Sequence, residues 1–281
     1  MHVERRGSGA PTVLLEAGLG HHSAYWGDVP RLVAATTSVV TYDRRGLGRS
    51  PARRGRFDVP AHLADLDEVL AHCEPGPVVL VGHSFGGFLI RALAAARPRR
   101  VGALLFVDSA TENELDGLPE RARRLDALGP WLMLVNAGIA ATGLARLPAA
   151  VRRVEREFAR FEPEQRKAIV ADQANPRYWL ANRAELHAYA AFREHAVATR
   201  DAAVFRTVPV GVITAAAYPE AATRPLGMTP DEFRAFHLQH QSAAFAALAP
   251  QARTVVAETG HLVHLDDPEL VAAEIARLVA G

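Results

Sequence analysis

Lysine is almost missing from this sequence: Lys167 is the only one, so arginine supplies nearly all of the 32 basic residues. With abundant alanine, that bias marks a GC-rich bacterial coding sequence and carries no mechanism. Cysteine is equally scarce. Cys73 stands alone, so no intrachain disulfide can form, and a reducing, cytoplasmic setting is expected. An excess of either charge is missing too: 32 basic against 31 acidic residues leave a net charge of +1, whereas a dedicated nucleic-acid binder carries a basic surplus. There is no clean membrane span. The longest uncharged stretch, Ala127 to Ala145, is broken by Gly129, Pro130, Asn136, Gly138 and Gly143, with basic residues on both sides, and reads as a buried helix with its turns. Met1 to Gly9 is polar and has no apolar core of a secretory signal.

What remains is ordinary globular material. Hydrophobic residues make up 49% and charged residues 22% of 281 positions, which excludes disordered, collagen-like and coiled-coil chains. A chain this long buries enough surface to need neither metal nor disulfide staples. Short runs rich in β-branched residues read as strands: Thr12 to Glu16, Ser38 to Tyr42, Val78 to Val81, Ala103 to Val107, Val208 to Thr214 and Thr254 to Ala257. Ala61 to Cys73, Phe85 to Arg97 and Leu270 to Val279 carry helical periodicity between and after them. Alternating strands and helices predict an α/β fold with a mostly parallel central sheet flanked by helices. One interval breaks the rhythm. About a hundred residues after Val107 have helical periodicity and no strand, too long for a loop in a compact domain. The expected division is therefore a core of residues 1–108 and 208–281 with a helical insertion at 109–207.

The strongest chemical signal is Gly82-His83-Ser84-Phe85-Gly86, a Gly-x-Ser-x-Gly run between a predicted strand and a predicted helix. Small residues on either side let the backbone turn sharply and present the Ser84 hydroxyl at the top of the sheet. A serine hydroxyl needs a base before it becomes a useful nucleophile. Thr259-Gly260-His261, just after the last predicted strand, supplies the candidate at the carboxyl edge where ligand-facing loops of such sheets converge. His264, three residues on, is expected to pack or support. The His21-His22 pair and the other histidines lack zinc-ligand spacing, so no metal is expected. Gly18-Leu-Gly20 and Gly46-Leu-Gly48 are each only half of a dinucleotide fingerprint, so no cofactor is expected either.

Taken together, the Ser84 elbow, the turn Asp43-Arg44-Arg45-Gly46-Leu47-Gly48-Arg49-Ser50, the late Gly260-His261 and the long insertion after Val107 resemble the α/β-hydrolase fold over almost the whole chain. The resemblance implies an oxyanion hole made by the backbone amides of Leu19 and Phe85. Ala17 replaces the histidine of a frequent His-Gly pair, but the donors are main-chain groups. It also implies a third residue, an acid. Many relatives place it after the strand that follows the insertion, where this sequence reads Ala215-Ala216-Ala217-Tyr218 and the first acid is Glu220. Others place it after the strand that follows the nucleophile, where Asp108 stands; that choice keeps the order Ser, Asp, His. Asp108 is preferred over Glu220.

The expected function is a cofactor-independent serine hydrolase of esters, thioesters or lactones, with Ser84, His261 and Asp108 as its triad. Relatives that open epoxides or remove halogens carry aspartate where Ser84 stands. Carbon–carbon hydrolysis, or a lyase or cyclase step on the same triad, is the alternative chemistry. A small-molecule receptor on the same fold is the alternative of another class. The bulky segments Trp131 to Val135 and Tyr178-Trp179 in the insertion are expected to line an apolar acyl or ring pocket. The arginine run Arg44, Arg45, Arg49, Arg53, Arg54 and Arg56 is expected to be mainly a solvated loop face.

Overall fold

The β-branched runs pair into one sheet of seven strands, β1 (His2–Arg6), β2 (Val13–Glu16), β3 (Val39–Asp43), β4 (Val78–His83), β5 (Val101–Val107), β6 (Val210–Ala215) and β7 (Arg253–Ala257). In this computed structural model residues 1–281 are described, apart from the side chains at 123, 125 and 126. The strand order is β1-β3-β2-β4-β5-β6-β7, with β1 antiparallel to β3 and every other pair parallel. The sheet is the one the sequence predicts, with β1 added. His2–Arg6 has no apolar alternation because it is a half-exposed edge strand, and its polar side chains keep that edge from pairing further.

Alternation along each central strand feeds two cores. Leu14, Leu80, Leu104 and Phe106 point to one face of the sheet, where helices α1 (Val59–Leu70), α2 (Gly86–Ala96) and the later Phe245 and Leu248 cover them. Val13, Leu15, Val79, Val81, Leu105 and Val107 point to the other, against Trp26, Val29 and the C-terminal helix residues Val271 and Ile275. Burial on both faces explains why these strands read as continuous apolar runs.

Between β5 and β6 the chain is helical: α3 (Glu120–Ala141), α4 (Pro148–Glu157), α5 (Pro163–Gln173) and α6 (Pro176–Ala198). α3 packs along α6 through its small residues. Ala122, Ala137 and Ala140 are buried, and a Cβ at Gly129 would stand 3.5 Å from Leu186. Close approach of two helices selects small side chains, so the bulky ones face away. Trp131 is 69% exposed, and Leu132 and Val135 are exposed as well. The uncharged stretch is thus a helix with one exposed face and not a wholly buried one. Among the described residues no helix is long and apolar enough to cross a membrane. After β6, α7 (Pro230–Leu248) opens on a capping box between Thr229 and Glu232, and α8 (Pro268–Ala280) ends the fold.

The arginine run is not a solvated face at its start. Arg44 is buried and bonds Glu16 on β2 at 2.7 Å and Glu185 on α6 at 2.7 and 3.0 Å. Tyr42 donates to the same Glu16 carboxylate. Arg45 and Arg53 pair with Asp65, and Arg49 with Glu4, because the loop folds back over α1 and β1. A fully desolvated guanidinium clamped by two carboxylates is expensive to break, since each carboxylate left behind is a buried, unpaired charge. Arg44→Met should cost about 3–5 kcal/mol in urea unfolding, whereas Arg97→Ala, at an exposed pair with Asp67, should leave the unfolding midpoint nearly unchanged. Equal losses at the two positions would refute the clamp.

Candidate active site

The β4–α2 turn is as tight as its sequence requires. Ser84 sits at φ +52°, a left-handed conformation that a non-glycine residue adopts only under constraint. The positions two residues to either side must be glycine. A Cβ at Gly82 would lie 2.7 Å from the Gly86 carbonyl oxygen, and one at Gly86 would lie 2.4 Å from the Glu16 carbonyl oxygen. Parallel pairing sets His83 beside Val107, so the residues that leave the two strands, Ser84 and Asp108, emerge side by side. Among the described residues Asp108 is the other non-glycine residue with positive φ, at +40°. Its N–H bonds the carbonyl of Ile213 on β6, and Ala110 N–H bonds the carbonyl of Ser84.

The buried Asp108 carboxylate receives four donors. Oδ2 accepts from His261 Nδ1 at 2.6 Å and from the Tyr218 hydroxyl at 2.5 Å; Oδ1 accepts from His237 Nε2 at 2.8 Å and from the Ala215 N–H at 2.9 Å. A carboxylate has about four lone-pair directions, and here each is used. Burial works against the charge, but the bonds from His237 and His261 outweigh it and hold the carboxyl well below the ordinary carboxylate range. Because an ionised carboxylate only accepts, the His261 proton lies on Nδ1 and its Nε2 is left with a free lone pair. Loss of solvent around the His261 ring opposes its cation, yet the hydrogen bond and charge of Asp108 win, and its pKa rises above the ordinary 6.5.

Glu220 stands elsewhere, exposed at the start of a short helix beyond Pro219, with no bond to His261. His264 is buried against His83 and Trp26, with ring centroids 4.4 and 5.0 Å away. Burial, aided by the nearby His261, pushes its pKa down to about 3, so it remains neutral. His83 is likewise neutral, and its Nε2 bonds the His261 carbonyl at 3.0 Å, steadying that loop.

Arg44 fixes the second loop of the site. Its NH1 bonds the Ala17 carbonyl at 2.8 Å and its NH2 the Gly18 carbonyl at 2.6 Å. A trans peptide points its N–H opposite its carbonyl, so the grip on Gly18 also aims the Leu19 N–H. Gly20 N–H is taken by Glu185 of α6 at 2.8 Å. The amides of Leu19 and Phe85 donate to no described group.

Ser84, Asp108 and His261 line one cavity of about 390 Å³. Its walls come from the segment after β5 and from α7: Leu115, Leu118, Phe233, Phe236 and His237, with Leu226 between them. Trp131 to Val135 and Tyr178-Trp179 do not line it. Tyr178 is buried, Trp179 donates to the Gln173 carbonyl, and Trp131, Leu132 and Val135 of α3 face outward for the packing reason given above. Among the described residues no group of three or more His, Cys, Asp or Glu is placed to hold a metal ion. Sequence reasoning missed His237 and Tyr218. The only signal for His237 was a helical face, Phe233-His237-Gln241, whose Gln241 amide bonds the Ser109 carbonyl at 2.7 Å and docks α7 on the Asp108 turn.

Residues 13–274 match the model of the alpha/beta hydrolase family, and the chain belongs to that family. It is 38% identical over 118 residues to lipase LipV of Mycobacterium tuberculosis, covering 42% of this chain and 44% of that one. It is 34% identical over 136 residues to a candidate carbamate hydrolase, RutD of Variovorax paradoxus, covering 46% and 51%. The chain thus spans about half the length of these curated relatives. Among solved structures it resembles a candidate epoxide hydrolase from Pseudomonas aeruginosa (TM-score 0.74, 21% identity, 99% and 91% covered). It also resembles the thioesterase domain from the curacin biosynthetic pathway (TM-score 0.60, 21% identity, 98% and 94% covered). At these identities the structures share the fold.

The electrostatics predict separate titrations for the two histidines of this loop. In an imidazole NMR titration His261 should protonate above 6.5, and Asp108→Asn should lower that value by removing the charge that favours the cation. His264 should stay neutral down to about pH 3. A His261 that titrates below 6.5 in the wild-type protein would contradict the pairing.

Proposed function

We propose that this chain is a cofactor-independent serine hydrolase that cleaves an ester, thioester or lactone through an acyl-enzyme on Ser84. The observation that carries this reading is the strained Ser84 opening into the same cavity as an imidazole whose Nδ1 is held by a buried, ionised Asp108. Ser84 Oγ attacks the carbonyl carbon while His261 Nε2 takes its proton. Asp108 stabilises the imidazolium formed, and the imidazolium then protonates the leaving group. Negative charge gathering on the carbonyl oxygen is met by the N–H groups of Leu19 and Phe85, which have no other acceptor among the described residues and need not reorganise. Water then repeats the cycle on the acyl-enzyme, again with His261 as base.

The apolar walls supplied by Leu115, Leu118, Leu226, Phe233 and Phe236 fit a substrate with an apolar acyl or ring portion. We assign residues 1–108 and 208–281 to the catalytic core and 109–207 to a cap, whose first segment walls the cavity. The names of the two curated relatives, a lipase and a candidate carbamate hydrolase, agree with attack on a carbonyl centre.

A fluorophosphonate probe should label the wild-type protein at Ser84, mapped by mass spectrometry, and a panel of chromogenic esters should be turned over. Ser84→Ala should abolish both, and His261→Ala should cost several orders of magnitude in turnover with His264→Ala much milder. An adduct on a different serine of the folded protein, or the reverse ranking of the histidines, would refute the assignment.

A further inference from the structure

His237 has no part in the mechanism above, yet it is built into the same carboxylate. Its Nε2 lies 2.8 Å from Asp108 Oδ1, the oxygen that does not serve His261. The ring is held in place from several sides. It stacks on Phe233 one turn earlier at 5.7 Å with the planes 9° apart, and Tyr218 meets it edge-on at 5.3 Å. Gln241, one turn later, ties the same helix face to the Ser109 carbonyl at 2.7 Å, so α7 is docked directly on the Asp108 turn.

From this geometry we infer that His237 is a positioning residue of the hydrolase: its Nε2–H grips Asp108 Oδ1 and thereby fixes the carboxylate so that Oδ2 meets His261 Nδ1. The inference rests on the triad reading proposed above. The physical need for it is local. Asp108 lies at the end of β5 in a left-handed turn, and its χ2 torsion has a broad, nearly two-fold preference that does not by itself choose an orientation. Among the described residues the only main-chain donor on Oδ1 is Ala215 N–H at 2.9 Å. The Ala216-Ala217 segment after β6 contributes no carboxylate; Tyr218 beyond it reaches Asp108 Oδ2 instead. Two imidazoles and a phenol therefore surround one carboxylate. His261 lines the cavity and keeps its Nε2 unspent, while His237 spends its own Nε2 proton on Asp108 and has no reach to the reacting atoms through it.

The test separates a donor from a packing ring. His237→Phe keeps the aromatic stack and removes the N–H, and His237→Gln keeps a donor near the Nε2 position and removes the ring. His237→Leu replaces the phenylalanine variant if that one does not fold. Loss of the donor should lower kcat by about ten- to a hundredfold with KM little changed, the loss for a hydrogen bond to a charged group. His237→Gln should restore most of the lost kcat. The low-field proton NMR signal of His261 Nδ1–H should shift and exchange faster in His237→Phe and return towards its wild-type position in His237→Gln. A folded His237→Phe or His237→Leu protein with wild-type kcat and an unmoved signal would overturn the inference. So would a glutamine variant no better than phenylalanine. The NMR signal needs no turnover, so it decides the role of His237 even if the fluorophosphonate experiment refutes Ser84 as nucleophile.

Discussion

One buried carboxylate organises this protein's working edge. Asp108 is placed by the parallel register of β4 and β5, turned out of the sheet by a left-handed backbone, and bonded by groups that come from three other parts of the chain: the end of β6 and its following loop, α7, and the loop after β7. A carboxylate in a dry setting stays ionised only if donors replace its water. Each of those donors is therefore as necessary to Asp108 as Asp108 is to His261. Remove the charge and the histidine loses both its orientation and the partner that favours its cation.

The second constraint is Arg44, and it works by the same physics with the signs exchanged. A guanidinium without water takes two carboxylates, Glu16 from the sheet and Glu185 from the helical insertion, and spends its remaining N–H groups on the carbonyls of Ala17 and Gly18. The insertion, the first core strand to end at this edge and the loop carrying Leu19 are thus joined through one side chain. A rigid main-chain donor follows from that joint: with the Gly18 carbonyl held, the Leu19 N–H cannot swing. Ser84, His261 and the two amides gather at the carboxyl edge of the sheet because every strand that supplies them runs the same way.

Much of this was legible in the residues, for physical reasons that differ from case to case. The strands were visible because burial on both faces leaves no room for polar alternation in Val78–Val81 or Ala103–Val107. Ser84 was visible because its turn admits only glycine two residues to either side, and His261 because a Gly-His directly after the last strand falls at the carboxyl edge where ligand-facing loops converge. Asp108 could be ranked above Glu220 from chain order and strand position. β1 was hidden, since an exposed edge strand has no hydrophobic pattern to read. The burial of Arg44 was hidden as well, because its partners Glu16 and Glu185 are 28 and 141 residues away. His237 was hidden too, because the carboxylate it bonds lies 129 residues away in the chain. The bulky residues of α3 misled in the opposite sense: hydrophobic size suggested a pocket wall, while close packing on α6 required the small face to turn inward.

The central claim, that Asp108 empowers His261 to activate Ser84, is tested most directly by the second-order rate of fluorophosphonate modification at Ser84, because that reaction draws on the nucleophile and base alone. Asp108→Asn should slow the modification by about ten-thousandfold while leaving the folded spectrum intact, and Glu220→Gln should leave it at the wild-type rate. A folded Asp108→Asn protein that is modified as fast as wild type, with the loss found instead in Glu220→Gln, would contradict the account.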